Sequence, residues 1–179
     1  MTANVTFPAL LQAFFTDRLL QQKQVSPHTI ASYRDTFCLL LRYAQQRLHK
    51  TPVKLTLAEL NAPLIIEFLE HLQQERGTSA RSRNVRLAAI HSFFQYAALQ
   101  APNHSGLIEQ VLAIPSMRYA RNPIEFLTHV EIEALLAATD QDTWIGRRDR
   151  TLLLLALQTG LRVSELIGLH WQDIVLATT

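Results

Sequence analysis

Residues 152–174 read LLLLALQTGLRVSELIGLHWQDI, and this stretch decides how the chain is interpreted. The apolar run predicts a buried helix, and Gly160 allows the sharp turn that ends it. Arg162 follows between Leu161 and Val163, so we expect its guanidinium to lie at an apolar junction. Glu165, three residues on, is placed to orient that guanidinium through charge-assisted hydrogen bonds. A positioned guanidinium suits a phosphate site, although an ordinary surface ion pair has the same spacing.

The sequence before this stretch predicts a mainly α fold, because apolar residues recur with helical period between recognisable helix starts. Ser26-Pro27, Asn61-Ala62-Pro63 and Ser79 are typical helix starts. Gly77 and Pro102 are typical stops. Four helices are predicted at about 7–22, 27–48, 63–76 and 79–100, and a weaker one at 106–112. We therefore predict an N-terminal bundle of four to five helices.

A linker is predicted at residues 115–127, because residues 115–123 lack apolar periodicity and contain two prolines. The predicted domains are residues 1–114 and 128–179. The second begins with a capping box at Thr128 and Glu131. It continues with helices at about 130–136, 144–158 and 163–167, and residues 169–175 could begin a strand.

Basic charge is concentrated in one region of the chain. Residues 76–121 hold six arginines and one glutamate, a charge of +5, whereas the remaining 11 bases and 14 acids give −3. This distribution suits a polyanionic partner, and a solvated helix face is the open alternative. The lone Cys38 is interpreted as a small core residue. The seven scattered histidines suggest no metal site, and we expect no cofactor, no membrane span and a cytoplasmic protein.

Residues 158–169, QTGLRVSELIGL, with Trp171 and Asp173, resemble the first arginine motif of tyrosine recombinases, the phage integrase family. Residues 26–33, 79–84 and 93–96 resemble the helical core-binding domain of the same family. The resemblance covers about Phe7 to Val175. It implies a core-binding domain of SAM-like type, followed by the first part of a catalytic domain that clamps duplex DNA.

By this resemblance, Arg162 matches the first catalytic arginine, and Glu165 matches the acidic residue that supports it. The expected DNA-binding residues lie near the starts of two helices: Arg81, Arg83, Asn84 and Arg86, then Thr29, Ser32 and Arg34. Arginine can bind phosphates or guanine, and asparagine can read adenine. The expected partners are double-stranded DNA and full-length recombinase protomers.

The family's catalytic lysine, its His-x-x-Arg motif and its nucleophilic tyrosine have no match in these 179 residues. Tyr33, Tyr43, Tyr96 and Tyr119 do not lie in the nucleophile's sequence context, so the chain alone is expected to be inactive. Three alternatives stay open: the sequence is a portion of an active enzyme, a helical interaction module that does not bind DNA, or a non-functional remnant of a mobile-element integrase.

Overall fold

The computed structural model describes residues 6–120, 123 and 125–174. The chain divides into two compact units, Met1–Arg121 and Asn122–Thr179. The division lies inside the predicted linker, whose limits stay a prediction. All regular structure in the described residues is helical, so the prediction of a mainly α fold is confirmed. No helix in this part of the chain is long and apolar enough to cross a membrane.

Residues 6–120 of the first unit contain five α-helices, and their bounds follow the sequence prediction closely. The first helix continues beyond α1 as a π-helical stretch, Phe14–Gln22, and short 3-10 turns lie at Pro52–Lys54, Leu57–Glu59 and Pro102–His104. The helices are α1 (Phe7–Ala13), α2 (Pro27–Leu48), α3 (Ala62–Arg76), α4 (Ala80–Gln100) and α5 (Ser105–Leu112).

The predicted helix starts are confirmed as hydrogen-bonded caps. The Ser26 hydroxyl accepts the amide of Thr29 at 3.3 Å, and the Ser79 hydroxyl accepts the amide of Ser82 at 3.2 Å. Asn61 caps α3 in the same way. Each cap satisfies an amide that would otherwise lack a partner inside its helix.

Helices α2 and α4 end on the same side of the first unit. Residues 53–58, which follow α2, line one cleft with the start of α1 and the end of α4. Phe37 and Phe93, near the middles of α2 and α4, pack against each other. Because the two helices meet near their middles and end on the same side, they run in the same direction and begin at the same end of the unit. Gly77, with a φ of 59°, ends α3 before the chain turns into α4.

The core of this unit is a cluster of aromatic rings. Phe14, Phe37 and Phe93 are almost fully buried, and the ring centroid of Phe93 lies 5.5 Å from that of Phe14 and 5.4 Å from that of Phe37, both edge to face. Cys38 is exposed, so its interpretation as a core residue was wrong. It follows Phe37 directly, and one residue rotates a helix by about 100°, which carries Cys38 away from the core.

The described part of the second unit contains three α-helices, α6 (His129–Ala137), α7 (Trp144–Thr159) and α8 (Val163–Ile167). The capping box at Thr128 and the left-handed Gly160, with a φ of 68°, are confirmed. The predicted strand is wrong for residues 169–174, and Val175 lies outside the described residues. The Asp173 carboxylate accepts the His170 amide at 2.8 Å and closes a 3-10 turn there.

Hydrogen bonds from arginine side chains join α6 to α7. Arg150 donates to the carbonyl of Leu136 at 2.8 Å, and Arg147 donates to the carbonyl of Gln141 at 3.0 Å. A Cβ atom at Gly146 would come within 1.7 Å of the Asp140 carbonyl oxygen, so only glycine fits there. These contacts fix the turn between the two helices.

The His91 imidazole donates from Nε2 to the Val111 carbonyl at 3.0 Å and thereby joins α4 to α5. Burial lowers the pKa of His91 below its ordinary value, although the bond to Val111 opposes this. The unfolded chain therefore takes up a proton more readily than the folded one. We expect the free energy of unfolding to fall as the pH drops below about 6.5.

This expectation is checked by urea denaturation between about pH 8 and pH 5.5. The matched variant is His91→Gln, whose amide can donate to Val111 but does not titrate. Its stability should change less over this range. Equal pH dependence in both proteins would contradict the assignment to His91.

Candidate nucleic-acid interface

The end of the first unit where α2 and α4 begin is the candidate interface, and we call it the basic end (residues 26–34 and 76–86). The first turns of both helices carry no acidic residue. Helix starts present free amides and a partial positive charge, which favour anions. The backbone itself thus makes this end suitable for phosphate groups.

Three arginines at the basic end are open to solvent. Arg76 ends α3, Arg81 lies in the first turn of α4, and Arg34 lies on α2. Arg34 has one acidic neighbour, with its Nε 3.7 Å from the Asp35 carboxylate. Arg86 is half-buried and donates to the Ser82 carbonyl at 3.3 Å. Most of the positive charge here can reach a bound anion.

Arg83 differs from the other arginines because it faces the core. It lies four residues before Leu87 and seven before Ile90, both buried, so all three share one helix face. Arg83 is only 7% exposed, and its Nε and Nη1 atoms have no hydrogen-bond partner. The expected DNA-binding arginines of α4 therefore do not form one surface.

The Asn84 side chain is held by the backbone of residue 117. Its Nδ2 donates to the Met117 carbonyl at 2.8 Å, and its Oδ1 accepts the Met117 amide at 2.9 Å. Sequence reasoning selected Asn84 as a reader of adenine and missed this contact. No local pattern indicates it, because the two residues are 33 positions apart.

Thr29 and Ser32 lie on α2 at the same end and are half-buried. The Thr29 hydroxyl is 3.0 Å from the Ser26 hydroxyl, and both belong to the cap of α2. The Ser32 carbonyl accepts the Thr36 hydroxyl at 2.9 Å. These contacts leave the Ser32 hydroxyl without an assigned partner in the structure, whereas the Thr29 hydroxyl already serves the cap.

Arg162 and Glu165, in the second unit, form the contact that the sequence predicted. The guanidinium Nη1 lies 3.1 Å from one carboxylate oxygen of Glu165, and the other oxygen accepts the Arg162 amide at 2.8 Å. The expected apolar junction is wrong, however, because the Arg162 side chain is 82% exposed and Val163 is 74% exposed. Glu165 caps α8 and orients the guanidinium at a solvated surface.

The other features of the described residues do not compete with this interface. No group of three or more His, Cys, Asp or Glu side chains there could hold a metal ion. A cleft of about 860 Å³ lies at the opposite end of the first unit, between the start of α1, residues 53–58 and the end of α4. It adjoins none of the residues selected from the sequence.

Comparisons with known proteins agree with the resemblance. Residues 13–101 match the N-terminal SAM-like domain of phage integrase, and residues 125–178 match the phage integrase family. Integrase/recombinase y4rC of Sinorhizobium fredii is 54% identical over 99% of this chain and 54% of its own length. Integrase/recombinase y4rD of the same organism is 41% identical over 98% of this chain and 63% of its own length. Tyrosine recombinase XerC of Myxococcus xanthus is 32% identical over 89% of this chain and 50% of its own length.

The chain thus spans between half and two thirds of the length of these curated relatives. No solved structure matches it.

Two nitrogens of the buried Arg83 guanidinium lack a hydrogen-bond partner among the described residues, and this predicts a stabilising substitution. A buried charged group without partners costs about 1–3 kcal/mol, and methionine fills a similar volume without charge. We expect Arg83→Met to raise the free energy of unfolding by about 1 kcal/mol or more, measured by urea denaturation. Arg81→Met, on the exposed face of α4, is the matched control and should change little. A loss of stability in Arg83→Met would show that the guanidinium finds partners in solution.

Proposed function

The chain belongs to the phage integrase family, and from this premise we propose that its first unit binds double-stranded DNA as part of a site-specific tyrosine recombinase. The observation that carries the proposal is the shared end of α2 and α4. Both helices begin there without an acidic residue in the first turn, and arginines surround them. Two parallel helix starts beside positive charge suit the backbone of a duplex.

The exposed arginines are proposed as phosphate-binding residues. Arg76 and Arg81 are open to solvent, and neither forms an ion pair with an acidic side chain among the described residues. Arg34 is exposed as well, and Arg86 is half-buried at the edge of the core, where a long side chain can extend outward. Thr29 and Ser32 support the same surface from α2. Arg83 is expected to contribute least, because it is buried.

Arg162 is proposed to supply a further phosphate contact from the second unit. Its exposed guanidinium is oriented by Glu165, which leaves other donors of the planar group available. This suits the role that the family resemblance implies for both residues. The corresponding cleavage activity would need a tyrosine nucleophile in addition.

Three of the four tyrosines are held in surroundings that do not suit that role. The Tyr43 hydroxyl lies 3.5 Å from the Glu67 carboxylate, and burial together with this negative charge raises the pKa of Tyr43. A raised pKa makes a phenol a poorer nucleophile precursor near neutral pH. Tyr33 stacks on Phe14, and Tyr96 is buried. Tyr119 belongs to the first unit and is partly exposed. We therefore propose that these 179 residues bind DNA without cutting it.

The phosphate contacts are tested by the salt dependence of DNA binding. We expect the full chain to bind a random-sequence duplex, and the double variant Arg81→Ala/Arg86→Ala to bind more weakly. Each lost phosphate contact lowers the slope of log affinity against log salt by about 1. The measurement is a fluorescence anisotropy titration between about 50 and 200 mM salt.

Arg42→Ala is the matched control, because Arg42 is an exposed arginine later on α2, away from the basic end. It should leave the slope nearly unchanged. If the wild-type protein does not bind the duplex at low salt, the result contradicts the proposed function and favours the hypothesis of a helical interaction module that does not bind DNA.

The absence of cleavage is tested separately. We expect no covalent protein–DNA adduct when the full chain is incubated with a labelled, nicked duplex and resolved on a denaturing gel. A catalytically active member of the family serves as the positive control. An adduct that disappears in one of the four Tyr→Phe variants would overturn the proposal and identify the nucleophile.

A further inference from the structure

The chain after α5 runs back along α4 toward the basic end. Val111, near the end of α5, contacts His91, and Met117 contacts Asn84. Asn84 and His91 are seven residues apart on α4, which corresponds to about 10 Å along the helix. The chain from residue 111 to residue 117 therefore covers about this distance toward the start of α4. We call residues 115–120 the exit segment, because they lead out of the first unit.

Asn84 holds the exit segment with both ends of its amide. A side-chain amide has one acceptor oxygen and one donor nitrogen, as a backbone peptide unit does. Here each meets its counterpart on Met117, at 2.9 Å and 2.8 Å. The exit segment forms no helix or strand of its own. The two hydrogen bonds between Asn84 and Met117 therefore attach the exit segment to α4.

This attachment determines where Arg118 lies. Arg118 is exposed and directly follows Met117, and Arg81 is three residues before Asn84 on α4. Residues three apart on a helix are neighbours on its surface. The hydrogen bonds to Met117 thus hold the backbone next to Arg118 against the first half of α4, on which Arg81 lies, although residues 84 and 117 are 33 positions apart in the sequence.

We propose that Asn84 is a positioning residue that fixes the exit segment on α4, so that Arg118 binds a DNA phosphate together with Arg81. This inference rests on the proposed DNA binding of the first unit. It replaces the expectation that Asn84 reads a base. Reading adenine requires the amide oxygen and nitrogen together, and both are already bonded to Met117.

The first test needs no DNA. Trypsin cuts after Arg118, and a protease needs the backbone around the cut to detach from its neighbours. Asn84→Ala should raise the cleavage rate at Arg118 about ten-fold, because two hydrogen bonds are lost. Asn84→Asp should give an intermediate rate, since a carboxylate still accepts the Met117 amide but cannot donate to its carbonyl.

Gln95→Ala is the matched control for this test. Gln95 is an exposed amide residue on the same helix, three turns further on, and has no hydrogen-bond partner in the structure. Its substitution should leave cleavage at Arg118 unchanged. Circular dichroism of each variant verifies that α4 is still folded. Equal cleavage of wild type and Asn84→Ala, both folded, would overturn the inference.

The second test measures coupling in binding to a random-sequence duplex. In the wild-type background, Arg118→Ala should lower the salt slope by about 1, as expected for one lost phosphate contact. In the Asn84→Ala background the same change should have much less effect, because Arg118 is no longer held in place. A structural role of Asn84 without DNA contact by Arg118 would leave the slope unchanged in both backgrounds.

The outcomes separate this inference from the proposed function. If the wild-type chain does not bind DNA, the proposed function fails, whatever the cleavage pattern. If it binds and the effects of Asn84→Ala and Arg118→Ala are independent, the positioning role fails and the proposed function stands. Weaker binding of Asn84→Ala that depends on the base sequence of the duplex would overturn the positioning role in favour of direct reading.

Discussion

The edge-to-face packing of Phe37 on Phe93, with ring centroids 5.4 Å apart, joins α2 to α4 at the centre of the first unit. Phe14 closes the cluster from the first helix. Because the residues after α2 and the end of α4 line the same cleft, this contact leaves the starts of both helices together at the other end of the unit. The basic end exists only because this packing holds the starts of α2 and α4 together. Without the packing of these rings, no contact at the centre of the unit would hold the two helix starts on the same side.

The basic end also shows a conflict between stability and charge. Arg83 occupies a core position of α4, yet two of its nitrogens are buried without a partner. Asn84, one residue later, turns away from the core and is fully engaged by Met117. Neighbouring residues on one helix thus differ in role because each step rotates the side chain by about 100°. Charge along the sequence is a poor guide to charge at the surface.

The two units are stabilised in different ways. The first has a contiguous core of aliphatic and aromatic side chains. The described part of the second has only one buried residue, Gly146, and large apolar side chains such as Trp144 and Trp171 are exposed. An arginine bond to a backbone carbonyl joins α7 to α6, and the caps at Thr128 and Glu165 stabilise the starts of α6 and α8. Local hydrogen bonds are the main contacts that hold Arg162 in its orientation.

The sequence by itself determined the helices, their caps and the Arg162–Glu165 pair, because these depend on contacts within a few residues of the chain. It also determined the family, through the continuous motif around Arg162. Only the tertiary structure decided that Arg83 is buried, that Cys38 is exposed and that Asn84 binds Met117. These outcomes depend on which way a helix face turns toward the core or on contacts between distant residues. The predicted strand at residues 169–174 failed for a local reason instead, because a 3-10 turn closed by His170 and Asp173 forms there.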